Sequence, residues 1–124
     1  EDGTTTIKCE YHVAIVQSTH MKALQIGYSQ KPAVIAYNLH FKSPGSSEEQ
    51  VKFSIAQFPG VKAFNFDAIT GALNAQDPNA EEGNLWGGPA NLLASPMKTG
   101  TGLDPEVVIE IVLNGLAEEY YTSH

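Results

Sequence analysis

Arginine is absent from this 124-residue chain; all seven of its positive charges are lysines. Arginine's planar fork is the usual means of gripping phosphate or carboxylate in a bidentate manner. Its absence argues against a site built as a phosphate clamp and leaves lysine as a point charge. There is one cysteine, which excludes an internal disulfide and leaves the fold to rest on its core. No run of about 18 or more apolar residues occurs, so no segment reads as a membrane-spanning helix. No Asn-x-Ser/Thr acceptor occurs. The chain opens on polar residues, "EDGTTT", with no signal-peptide pattern, although a cleaved leader would leave the same appearance. Compartment stays open on these grounds, with a lean toward an extracellular or virion-type assembly.

What is present is an ordinary globular composition, 42% hydrophobic with a mean hydropathy of -0.18. The length suits one domain over residues 1–124. The net charge of -7 is unevenly spread. Residues 1–62 hold six lysines against five acids, and residues 63–124 hold one lysine against nine acids. An acidic, solvated second half accounts for this, and so does a face for a charged partner.

The first half alternates with period two, the pattern of strands. In "TIKCEYHVAIV", Ile7, Cys9, Tyr11, Val13 and Ile15 share one side. "MKALQIGY" places Leu24, Ile26 and Tyr28 together. "AVIAYNLHFK" turns Ala33, Ile35, Tyr37, Leu39 and Phe41 inward and Asn38, His40 and Lys42 outward. "VKFSIAQF" buries Val51, Phe53 and Ile55, with Lys52 and Ser54 outward. "VKAFNFDAI" sets Phe64 and Phe66 against Asn65 and Asp67. Turn residues separate these runs, at 30–32, 43–47 and 59–60. Short connections favour antiparallel neighbours, so a five-stranded antiparallel meander is expected. Residues 70–103 read as a long Gly/Pro-rich loop. The C-terminal stretch carries Glu106, Glu110, Asn114 and Glu118 every four residues, the polar stripe of a helix. Asp104 suits the cap and Pro105 the first turn, so a helix is expected over 105–120. The fold class is α+β: a five-stranded antiparallel sheet with the C-terminal helix packed on one face.

Candidate chemistry is sparse. Cys9 and His12 have a zinc-like spacing, but on one strand they point to opposite faces, so Cys9 is expected to be buried and inert. Asp77, Asn79 and Glu81 start like a calcium loop, but Glu82 stands where glycine is needed and Gly88 where the bidentate glutamate belongs. The "GTG" of 100–102 precedes a helix start, where anions bind, yet it follows no expected strand and lacks a third glycine. No catalytic, cofactor or metal set is assigned.

Two surfaces remain. Leu85, Trp86, Leu92, Leu93 and Met97 form an apolar group in the loop, and Val108, Ile111 and Tyr121 lie outside the main stripe of the helix. Together they suggest contacts between copies of the chain in a homo-oligomer. Trp86, the only tryptophan, fits either that role or a place under its own loop. The second surface is the polar sheet face of Lys8, His12, Asn38, His40, Lys42 and Lys52. The expected function is a non-enzymatic, self-assembling structural subunit. The alternatives are a ligand- or RNA-binding module, such as a small viral coat protein, using the lysine/histidine face, and a small enzyme with a pocket under residues 70–103. RNA is weakened by the lack of outward aromatic platforms.

Overall fold

The computed structural model describes residues 5–19, 22–42, 45 and 47–117. Tyr121, and residues 118–120 of the expected helix, lie outside the described residues. The sheet is five-stranded and mostly antiparallel, in the order β1-β2-β3-β4-β5. Its strands are β1 (Thr6–Glu10), β2 (Val13–Gln17), β3 (Ala33–Lys42), β4 (Glu49–Gln57) and β5 (Leu92–Ala94). Among the described residues three helices accompany it: α1 (Ala23–Tyr28), α2 (Phe66–Gln76) and α3 (Pro105–Asn114). The α+β class holds. The meander does not, because β2 and β3 are parallel.

The first expected strand breaks into a hairpin. Tyr11 and His12 both take positive φ, 51° and 65°, which is the requirement of a two-residue type I′ turn. Neither is a glycine or asparagine, so the turn carried no composition signal. The register pairs Lys8 with Ile15 and Cys9 with Ala14. Side chains directly opposite share a face, so Lys8 joins Ile15 on one side while Ile7 and Cys9 join the other. Cys9 is exposed, contrary to the expectation that it is buried.

Two expected strands are helices. Residues 23–28 form the crossover that parallel strands require. Ala23, Ile26 and Gly27 recur at helical spacing and lie over Val16 and Val34. A Cβ on Gly27 would meet Val34 Cγ1 at 2.5 Å, so glycine is what lets α1 approach the sheet. In the "FNFD" stretch, Asn65 caps α2: its Oδ1 accepts from Ala68 N at 3.2 Å. Ile69 and Leu73, four residues apart, bury its inner face. The Gly/Pro-rich segment therefore opens with helix to Gln76 and contains β5.

One face of the sheet carries the main core, with Val13, Ile15, Ile35, Phe53, Ile55 and Leu93. Ile69 and Leu73 of α2 and Val108 and Val112 of α3 belong to the same cluster. Asp104 caps α3, its carboxylate accepting from Glu106 N at 3.0 Å. The helix stops at Asn114, with Gly115 as its C-cap, short of the expected end. The other face has a smaller cluster, Ala14, Val16, Val34 and Ala36, under α1.

Candidate functional site

Residues 77–103 are organised by one buried carboxylate. Asp77 Oδ1 accepts from the backbone N–H groups of Asn79 and Gly102, each at 2.9 Å. Its Oδ2 accepts from the Trp86 indole at 2.8 Å and the Thr101 hydroxyl at 2.6 Å. Burial pushes the carboxyl up, but the four donors together outweigh it and hold it below the ordinary aspartate value. The anion held by the "GTG" turn is thus the chain's own Asp77. The same four donors take up the oxygens that a calcium ion would need, so the calcium-like spacing is a local turn. Asn84 extends the network, accepting from Lys98 N at 2.9 Å and donating to Asn79 O and Thr99 Oγ1.

This network places Trp86 inward. It is 2% exposed, with its backbone N–H on Asn74 Oδ1 and its ring 6.3 Å from that of Phe53. Leu93 and Val108 are equally enclosed. Leu92 and Ile111 are half-buried. Of the described apolar residues expected at contacts between copies, Leu85 at 51% and Met97 at 86% are the ones that face solvent.

The polar residues do not share one face. Lys8 sits on β1, ion-paired with Glu10 at 2.6 Å. His12 is in the hairpin turn. His40 Nδ1 lies 2.9 Å from Glu49 Oε1, and this hydrogen bond holds the Glu49 carboxyl below its usual range. Lys42 is opposite Glu49 in the register. Asn38 and Lys52 are brought together as direct partners across β3 and β4.

A β-bulge completes this last pair. The register runs from Asn38↔Lys52 to Phe41↔Gln50, three steps on β3 against two on β4. His40 N donates to Asn38 Oδ1 at 2.8 Å and pins the irregularity. An extra residue re-aims everything beyond it. Phe41 therefore shares a face with Asn38 and Lys52 instead of pointing to the main core. The Lys52 ammonium stands 4.3 Å from the Phe41 ring centroid, within cation–π range. Among the described residues no carboxylate pairs with Lys52.

These groups line a crevice of about 260 Å³ with Ser18, Thr19, Ala23, Leu24, Ala36 and Ser54. It lies where β2 ends, α1 begins and the far half of β3 passes. In sheets with parallel βαβ units, ligands bind beyond the carboxyl ends of the strands. The crevice combines an apolar floor with a few converging polar groups, the usual make-up of a small-molecule site. Lys52, Asn38 and Ser54 could be read as polar and outward from the alternation. Phe41 could not, because nothing in "NLHF" announces a bulge.

Two other hollows can be traced among the described residues. A groove of about 460 Å³ runs between β1–β3 and α3, with Lys8 among Glu10, Glu106 and Glu110. Tyr37 borders it, its hydroxyl 3.3 Å from Gln17 Oε1 and its pKa raised by burial and then by Glu106. A third, of about 550 Å³, lies between α2 and residues 87–93, with Asp67 as its titratable group. Among the described residues no group of three or more His, Cys, Asp or Glu is placed to hold a metal ion, and no helix is long and apolar enough to cross a membrane. No family model matches the sequence, and no curated protein or solved structure shows a significant similarity to it.

Proposed function

We propose that this chain is a ligand-binding domain that holds a small anionic molecule in the crevice of Asn38, Phe41, Lys52 and Ser54. The observation that carries this reading is Lys52 itself. Its charge stands over the Phe41 ring, with no carboxylate beside it among the described residues, at the mouth of the β2–α1–β3 crossover. A carboxylate or phosphate group of the ligand would take the ammonium, with the Asn38 amide and the Ser54 hydroxyl as neutral partners. Leu24, Ala36 and Phe41 would cover an apolar or aromatic body. The size of the crevice favours a small molecule over a nucleic-acid strand, and the net charge of -7 opposes a polyanion.

The self-assembling structural role expected from the sequence is less well supported at its proposed contacts, because Trp86, Leu93 and Val108 serve the chain's own core. Phenyl phosphate is a suitable probe, with phenol as the uncharged control. Calorimetric titration should show phenyl phosphate binding and phenol not binding. Lys52→Met should weaken binding by about tenfold or more, since a charge-assisted contact contributes about 1.5–3 kcal/mol. Equal binding by wild type and Lys52→Met would refute the assignment.

A further inference from the structure

The two edges of the sheet are unlike. On the β5 side, Gly87 bridges to Ala94 through two backbone hydrogen bonds, 3.1 and 2.9 Å, so that edge is covered. On the other side β1 ends the sheet with no further strand among the described residues. Thr6, Ile7, Lys8 and Cys9 are all exposed. The two-residue turn sets which backbone groups are spent. Glu10 and Val13 flank the turn as a hydrogen-bonded pair, and the pattern then alternates. Glu10, Lys8 and Thr6 therefore bond to β2, while Ile7 and Cys9 present their N–H and C=O groups outward. An open row of this kind is a template for another strand.

Natural edges are commonly protected by a lysine. Here Lys8 is neutralised by Glu10 at 2.6 Å on the same face, and the two flank Cys9 symmetrically. We propose that β1 pairs antiparallel with β1 of a second copy of this chain, about a two-fold axis at Cys9. In that register Cys9 meets Cys9 of the second copy, and each Lys8 stands opposite a Glu10, giving a four-charge cluster of alternating sign. A shift to an axis at Lys8 would oppose two lysines. A shift to an axis at Ile7 would set Lys8 against Thr6 and lose the cross-strand ion pairs. Oppositely charged cross-strand pairs favour a register and like charges disfavour it. On the other face, Ile7, 40% exposed, and Cys9 of both copies make a short apolar strip. The result is one ten-stranded sheet. This inference is independent of the ligand crevice, which lies on β3 and β4.

The charge pattern supplies the test. Lys8→Glu leaves a strand with a carboxylate on each side of Cys9, and Glu10→Lys leaves one with an ammonium on each side. Each single variant should be monomeric by light scattering at a concentration where the wild type has doubled mass. An equimolar mixture of the two should recover the doubled mass as a heterodimer. The double swap, Lys8→Glu with Glu10→Lys, should also dimerise. Diamide, which accepts the two protons and two electrons released by two thiols, should link wild-type chains through Cys9. Hydrogen-bonded antiparallel partners have Cα atoms about 5.5 Å apart, inside the range a disulfide spans. A monomeric wild type would overturn the proposal. So would single variants that dimerise as well as the wild type, or a mixture that stays monomeric while circular dichroism shows both variants folded.

Discussion

Asp77→Asn changes one atom of the side chain and should strike the whole of residues 77–103. In the native chain the carboxylate accepts four hydrogen bonds, from Asn79 N, Gly102 N, Trp86 Nε1 and Thr101 Oγ1. An asparagine keeps one accepting oxygen and turns an NH₂ toward the other two donors. The Thr101 hydroxyl can rotate to accept from that NH₂ with its second lone pair, the first being taken by Leu103 N at 3.0 Å. The Trp86 indole is a donor only and is left unpaired, and both lose their charged acceptor. Hydrogen bonds to a charged group contribute about 1.5–3 kcal/mol each. Losing two, with partial relaxation, should cost about 3–4 kcal/mol. At an m-value of about 1.5–2 kcal/mol/M, the urea midpoint should fall by roughly 2 M. The reporter is built in, since Trp86 is the only tryptophan and donates directly to Asp77. The pH dependence adds a second readout. The folded pKa of Asp77 lies below its unfolded value, which is about 3.9. Its contribution is therefore present at and above that pH and is lost as pH falls through the folded pKa. The gap between wild type and Asp77→Asn should narrow in that acid range. A variant within about 1 kcal/mol of wild type at pH 7, or a gap that does not change with acid, would refute the reasoning.

Trp86→Ala should destabilise the chain by about 3–5 kcal/mol, the usual cost of removing a buried aromatic, while leaving its oligomeric mass unchanged; a stable variant with altered mass would instead place Trp86 between subunits. Replacing Tyr11-His12 with Asn-Gly should raise stability by about 1 kcal/mol, because L-residues are costly at positive φ, and a loss of stability on that change would contradict a type I′ turn.

The parts of this fold that could be read from the sequence are those where one period ran without interruption. β3 and β4 alternate over eight or more residues in "AVIAYNLHFK" and "VKFSIAQF", and strands form there. The pair Asp104-Pro105 marks a helix start by its chemistry, and α3 begins at Pro105. Shorter runs misled. Leu24, Ile26 and Tyr28 fit a strand, yet the same stretch folds as a helix that buries Gly27 and half-buries Ala23, Leu24, Ile26 and Tyr28, and a run of this length does not separate the two periods. Phe64 and Phe66 alternate across a helix cap, where the burial that matters, Ile69 and Leu73, comes afterward. The hairpin at Tyr11-His12 and the bulge at Asn38–Phe41 depend on backbone geometry that ordinary side chains adopt without any composition signal. The candidate site was half visible for the same reason. Asn38, Lys52 and Ser54 sit outward by alternation, but Phe41 joins them only because the bulge turns it over. Asp77 was visible as a turn former and not as a hub, since its partners Trp86, Thr101 and Gly102 lie 9, 24 and 25 residues away.

The claim that the bulge builds an anion site between β3, β4 and the start of α1 is tested most directly by amide NMR shifts during titration with phenyl phosphate. The largest shifts should fall at Ser18, Ala36, Asn38, Phe41, Lys52 and Ser54, which line the crevice, and should vanish in Lys52→Met. Shifts centred elsewhere, such as along α3 or at residues 87–93, or shifts that persist in Lys52→Met, would contradict it.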